Sequence, residues 1–166
     1  MDPTNRSRKA GAPTPLPAGV HRIDREECLA LLAAEPVARI GISLHALPVI
    51  LPVNFVLTTQ PGSSDPVVVI RSNEGTKLDT ALHHSIVAVE ADGFDPLSHA
   101  GWSVLVQGHS RVLDDPDELA WAQELALEPW ADHLAARFIV VDAEVISGRR
   151  FGPQPPSHPM ESGHRW

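Results

Sequence analysis

From Leu47 to Leu57 the chain places Leu47, Val49, Leu51, Val53 and Phe55 on one side of an extended segment, the pattern of a half-buried strand. The β-rich run Val37 to Ser43 precedes it across a short turn at His45 and Ala46, which predicts a hairpin. Val67 to Arg71, Ser85 to Ala91, Trp102 to Leu113 and Arg137 to Ser147, all rich in Val and Ile, add further strands. Helical start signals interrupt this pattern. Asp24 with Glu27 forms a capping box ahead of Cys28, Leu31 and Leu32, and Pro36 closes that helix. Asp115, with Pro116 in the first helical position and Glu118 behind it, opens a helix from Leu119 to Leu127. A shorter helix is expected from Asn73 or Glu74 through Leu78 and Leu82, weakened by Gly75. Six strands with only short helices between them lack the regular strand–helix alternation of a doubly wound sheet. A mainly β fold follows, a small antiparallel β-barrel with peripheral helices.

Prolines set the limits of the barrel. Pro3, Pro13, Pro15 and Pro17 fall among small and basic residues that cannot bury enough apolar area to offset ordering, so residues 1–18 read as a flexible tail. Pro153, Pro155, Pro156 and Pro159 mark residues 152–166 as a second tail, leaving residues 19–151 as the domain. With 166 residues, 43% of them hydrophobic, the chain is long enough for one real core. A formal charge of −8 argues against nucleic acid or an anionic membrane as partner, because both need a concentrated positive surface. Cys28 is alone, which removes internal disulfides and thiolate metal cages, and no apolar run resembles a membrane span or secretory signal. The expected location is the cytoplasm. Tyrosine is absent, and with it any chemistry that needs a phenol.

The chemistry of individual residues narrows the choice. Nine histidines invite a metal, but no metal-ligand spacing accompanies them; His83 and His84 fit the end of the short helix. No metal site is expected. No G-x-S-x-G elbow is present, and Cys28 lies on an apolar helix face. Glu90, Asp92 and Asp95 read as a solvated strand end and turn closed by Gly93 and Pro96. In Ile70-Arg71-Ser72-Asn73-Glu74-Gly75-Thr76-Lys77-Leu78 a buried strand runs into two cations, two hydroxyls and a helix start. Such groups can converge on one phosphate, or Arg71 and Lys77 can be surface salt-bridge partners; the local chemistry leaves both open. Pro52 interrupts a long strand and demands an edge or bulge there, which frees backbone groups and the Asn54 amide for the polar edge of a flat ring. Trp102 suits the face of a planar ligand and Gln107 its edge, or else the two are a core tryptophan and a half-exposed glutamine.

Taken in order, Pro52-Val53-Asn54-Phe55, then Ile70 to Leu78, then Gly101-Trp102-Ser103-Val104-Leu105-Val106-Gln107-Gly108, then Ile146-Ser147-Gly148-Arg149-Arg150 resemble the pyridoxamine 5'-phosphate oxidase-like flavoproteins. The resemblance spans about Asp24 to Arg150 and is narrowest to the actinobacterial flavin-binding branch. It implies a six-stranded Greek-key split barrel of the FMN-binding type, a homodimer with its cofactor at the subunit interface. On this resemblance Pro52, Val53 and Asn54 line the isoalloxazine ring, while Ile70, Arg71, Ser72, Thr76 and Lys77 belong to the segment holding the ribityl phosphate. Trp102, Ser103 and Gln107 approach from the partner subunit, Arg149 or Arg150 sits at the mouth, and Trp130 is a further candidate for the wall. Phe55 stands where many relatives have tyrosine, and the substrate-phosphate residues of the vitamin oxidases have no clear match, which argues against pyridoxamine phosphate oxidation. The expectation is an FMN-binding oxidoreductase acting on a small organic molecule of unknown identity, with no residue assigned a catalytic role. The alternatives are a deazaflavin-dependent reductase on the same fold, whose cofactor would favour extra cations, or a non-catalytic flavin- or haem-binding protein using His45, His83 or His99 as axial ligand.

Overall fold

The computed structural model describes residues 16–73, 82–127 and 136–152. In chain order the elements are β1 (Val20–Ile23), α1 (Arg25–Ala34), β2 (Val37–Leu44), β3 (Leu47–Thr59), β4 (Pro66–Asn73), β5 (Ser85–Asp95), β6 (Ala100–Val112), α2 (Pro116–Gln123), β7 (Ala136–Asp142) and β8 (Val145–Phe151). The strands form one eight-stranded antiparallel sheet in the order β1-β8-β6-β5-β2-β3-β4-β7, and a further β6–β7 pairing closes β2, β3, β4, β7, β6 and β5 into a ring. The expected barrel with helices outside it is therefore the observed architecture.

β6 is the strand on which the barrel splits. β5 occupies one of its edges from Ala100 to Ser110. The other edge is shared: Gly101 to Gln107 pairs with β8, and Ser110 to Val112 pairs with β7. Gly108 stands at the division, where a Cβ would lie 1.8 Å from the Asp142 carbonyl oxygen, so only glycine admits the crossing chain. The segment Arg137 to Ser147, expected as one strand, is accordingly two, broken at Ala143 and Glu144. β1 was not expected at all, since Val20-His21-Arg22-Ile23 is too short and polar to carry a period.

The β2–β3 turn has His45 and Ala46 at φ 52° and 64°, both left-handed, as a two-residue hairpin linking twisted strands requires. Asp24 caps α1 by accepting from the Glu27 N–H, and Asp115 caps α2 by accepting from Asp117 and Glu118. α2 stops at Gln123 rather than reaching Leu127, because the chain tightens: Leu125 N–H donates to the Ala122 carbonyl, and Leu127 N–H to Leu125. The expected helix after Asn73 falls on residues 74–81, outside the described residues.

The barrel interior is filled by Ile40, Phe55, Val68, Ile70, Val89, Val104, Val106 and Ile139, with Cys28 and Leu32 of α1 packed onto it. Val67, Val69, Phe138 and Val140 point the other way, into a second cluster under α2 with Leu113, Ala122 and Leu127. β4 and β7 are thus covered on both faces, which explains the unbroken Val67-Val68-Val69-Ile70 run. At the ends of the described chain, Gly152 N–H donates to the Gly19 carbonyl and ties β8 to β1. No helix among the described residues is long and apolar enough to cross a membrane.

Candidate functional site

β3 changes partners along its length. Leu47 to Asn54 pairs with β2, but pairing with β4 begins only at Asn54, so among the described residues no strand pairs with the β4-facing edge from Leu47 to Val53. The Phe55 N–H donates to the Pro36 carbonyl, toward β2. Ladder groups alternate, so the main-chain groups of Pro48, Ile50 and Pro52 face the uncovered edge. Pro52 therefore sits where its missing N–H breaks no ladder bond. The edge offers the Pro48, Ile50 and Pro52 carbonyls and the single N–H of Ile50. Val53 is placed differently: it pairs with Ala38, and its side chain packs against the core.

Asn54, Arg71 and Phe138 follow one another across β3, β4 and β7 on the outer face. Asn54 opens into a cavity of about 450 Å³ lined by the end of α1 (Ala33, Ala34, Glu35, Pro36), by Val56 and Leu57 of β3, and by Ala126 and Leu127. The half-buried Arg71 reaches this wall, where its Nη1 donates to the Leu127 carbonyl at 3.1 Å. Its Nε is buried with no hydrogen-bond partner among the described residues. Leu127 could not be assigned to the wall from sequence, because its apolar spacing continues that of α2.

β4 continues to Asn73, two positions past the expected end, so Arg71 and Ser72 alternate to opposite faces. Ile70 is fully buried in the barrel interior and contributes position rather than contact. Thr76, Lys77 and Trp130 lie outside the described residues.

The other candidates stand on β6 and β8. Trp102 turns inward against the core, with its indole across Gly93; a Cβ there would stand 2.5 Å from Nε1. Ser103 and Gln107, odd-numbered on the same strand, turn outward. Arg149 is the cross-strand partner of Ser103, whereas Arg150 pairs with Trp102 and forms an ion pair with Glu27 of α1. The β3/β4 and β6/β8 groups are separated on the sheet by β2 and β5, so β3 and β6 lie roughly 14 Å apart at ordinary strand spacing.

Other titratable groups have structural roles. Arg39 bridges Asp92 and Glu90 on the outer face, and burial pushes the Glu90 carboxyl above its usual range, with Asp92 adding to the effect. The Asp95 side chain caps its turn, accepting from Leu97 N–H and Ser98 Oγ, and these bonds hold its pKa low. Burial raises the Cys28 thiol pKa, consistent with packing rather than nucleophilic use. No group of three or more metal-ligating side chains occurs among the described residues.

The family pattern described as pyridoxamine 5'-phosphate oxidase matches residues 24–150, which include every candidate from Pro52 to Arg149. The chain belongs to this family. It is 33% identical over 136 residues to uncharacterized protein Rv0080 of Mycobacterium tuberculosis, covering 79% of this chain and 85% of that protein. The structure of the FAD binding protein from Mycobacterium smegmatis is 34% identical, covers 81% of this chain and 100% of its own, and superposes with a TM-score of 0.68. The conserved protein of unknown function DIP1874 from Corynebacterium diphtheriae is 32% identical, covers 80% of this chain and 98% of its own, and gives a TM-score of 0.66.

Proposed function

We propose that this family member binds a flavin nucleotide, FMN in the first reading, and uses it to oxidise or reduce a small organic molecule in the cytoplasm. The observation that carries the reading is the buried Arg71 Nε, a donor without a partner among the described residues, beside a cavity at the end of β4 and one strand from the uncovered edge of β3. A buried unsatisfied guanidinium nitrogen costs free energy that an anion would recover. The bond from Nη1 to Leu127 fixes the guanidinium plane in advance, so little side-chain freedom is lost when a phosphate arrives. On the family resemblance Thr76 and Lys77 complete that grip. The N–H and carbonyl of Ile50 can pair a ring edge that carries an acceptor beside a donor, and Asn54, four positions along the same strand and opposite Arg71, supplies a side-chain amide.

When bound, the flavin supplies the electron-transfer chemistry, so no protein residue need act as acid or base. The polypeptide orients the ring, neutralises the phosphate and excludes water. Exclusion is where a second copy enters. Ile50, Ile86 and Val145 are exposed apolar side chains on the outer sheet face, with Gly41, Ala88 and Gln107 in register between Ile50 and Val145. A two-fold contact through this face would carry Ser103, Gln107 and Arg149 of one protomer toward the β3/β4 edge of its partner, bridging a distance they do not span within one chain.

The likeness to an FAD-binding protein supports a second reading in which the nucleotide is FAD. The absorption spectrum of the purified protein, followed by mass measurement of the molecule released on denaturation, tests both. A released mass of FMN or FAD decides between them, whereas a deazaflavin, haem or no chromophore after reconstitution with either flavin overturns the proposal.

A further inference from the structure

The ring-edge groups, the phosphate anchor and the cavity follow one another along β3. Asn54, opposite Arg71, stands four positions past Ile50, about 13 Å at ordinary strand rise. The cavity continues in the same direction to Val56 and Leu57, about 10 Å past Asn54. A flavin whose ring meets Ile50 and whose phosphate meets Arg71 therefore points that phosphate toward the cavity. FMN ends there. FAD continues through a second phosphate to a ribose and an adenine, so of the two only FAD reaches the cavity.

The lining has the chemistry of a nucleoside site. Its volume of about 450 Å³ lies within the roughly 300–1,000 Å³ of small-molecule pockets. Val56 rises from the same outward face of β3 as Asn54, Pro36 is tied to that strand by the bond from the Phe55 N–H, and the buried Leu127 forms a further wall. Ala33, Ala34 and Ala126 are the smallest side chains of the lining and leave room for a flat base. Ala33 and Ala34 also end α1, where the last carbonyls of a helix lack intrahelical partners and accept from an exocyclic amine. The half-buried Glu35 carboxylate beside them accepts from ribose hydroxyls. No Lys or Arg lines the cavity among the described residues, and both Glu35 and the negative end of α1 oppose a tail carrying further anionic groups, as the deazaflavin alternative has.

We infer that this cavity is a nucleoside subsite that takes the adenosine half of FAD, the base against Pro36, Val56 and Leu127 and its amine at the end of α1. The inference rests on the flavin reading above and adds which nucleotide is held and which way it lies.

Full-length protein freed of bound flavin is titrated with FMN, FAD and adenosine, followed by flavin fluorescence and by calorimetry. FAD is expected to bind about tenfold or more tightly than FMN. Ala34→Trp and Ala126→Trp, which fill the cavity from α1 and from the segment after α2, are each expected to bring the ratio of the two affinities to about one. Adenosine is expected to compete with FAD and to bind the FMN-loaded protein. Equal parental affinity for FMN and FAD, or a ratio that survives both tryptophans even where both affinities fall, overturns the subsite and leaves the flavin reading standing. Adenosine binding by a protein that takes neither flavin sinks the flavin reading and leaves the nucleoside site standing.

Discussion

At the scale of single residues, the Arg71 Nη1 is held by Leu127 while its Nε has no hydrogen-bond partner among the described residues, which makes its contribution to ligand affinity separable from its contribution to the fold. Arg71→Ala is expected to weaken flavin binding by about 1.5–3 kcal/mol, roughly ten- to a hundredfold in Kd, as read by fluorescence titration of the apoprotein. Unchanged affinity would move the phosphate elsewhere. A second residue-scale case is His109, whose Nδ1 lies 2.5 Å from Glu144 Oε1 beside the split in the barrel. The hydrogen bond to Glu144 raises the imidazole pKa above its ordinary 6.5, so its stabilisation is present below that value and lost as pH rises through the shifted one. The same bond lowers the Glu144 pKa below its ordinary 4.5, so its share is present above that value and lost as pH falls through the shifted one. The destabilisation caused by Glu144→Gln should therefore be largest near about pH 5.5 and fade as pH rises through the raised His109 value, as measured by denaturant midpoints. A pH-independent difference would show that the pair contributes only through its backbone contact.

At the scale of elements, the split depends on two glycines that fail in different ways when replaced. At Gly148 an added methyl meets the Cys28 sulfur at 2.4 Å and Ile23 Cβ at 3.0 Å, while at Gly108 it meets backbone. Each alanine variant is expected to lose about 1–3 kcal/mol or more in thermal or denaturant unfolding. Adding Cys28→Ala should restore part of the loss at Gly148 by trimming the obstacle, and nothing at Gly108, where the obstacle is the Asp142 main chain. Neither role could be read from the chain, because each glycine answers to a segment distant in sequence. The alternation of Val49, Leu51, Val53 and Phe55 made the faces of β3 legible, and the caps at Asp24 and Asp115 made both described helix starts legible. Pro52 was legible as an edge position for a local reason, its missing donor. The opposition of Arg71 and Ser72 was not, since it depends on β7 pairing that carries β4 as far as Asn73.

At the scale of the whole molecule, the outward-facing candidates among the described residues, Asn54 and Arg71 on one side and Ser103, Gln107 and Arg149 on the other, stand on two flanks of the outer surface, which the proposed second chain would unite. Ile86, 71% exposed between those flanks, reports on that contact. Ile86→Asp is expected to shift the protein toward monomer in sedimentation velocity at micromolar concentration and to lower flavin occupancy with it, because burying an unpaired carboxylate at an interface centre is costly. A variant that stays dimeric with full occupancy would place the interface on another face. The family was legible because it rests on the order of four short segments, whereas β1 and its pairing with β8 were hidden in a strand too short to show periodicity. The bare lip of β3 carries one more consequence. A strand margin able to hold a ligand through main-chain groups is also a margin on which a foreign strand can stack without limit, the usual route to fibrils. Prolines four positions apart, Pro48 and Pro52, withhold the donors such stacking needs, so the lip resists another polypeptide while keeping its carbonyls for the proposed ligand.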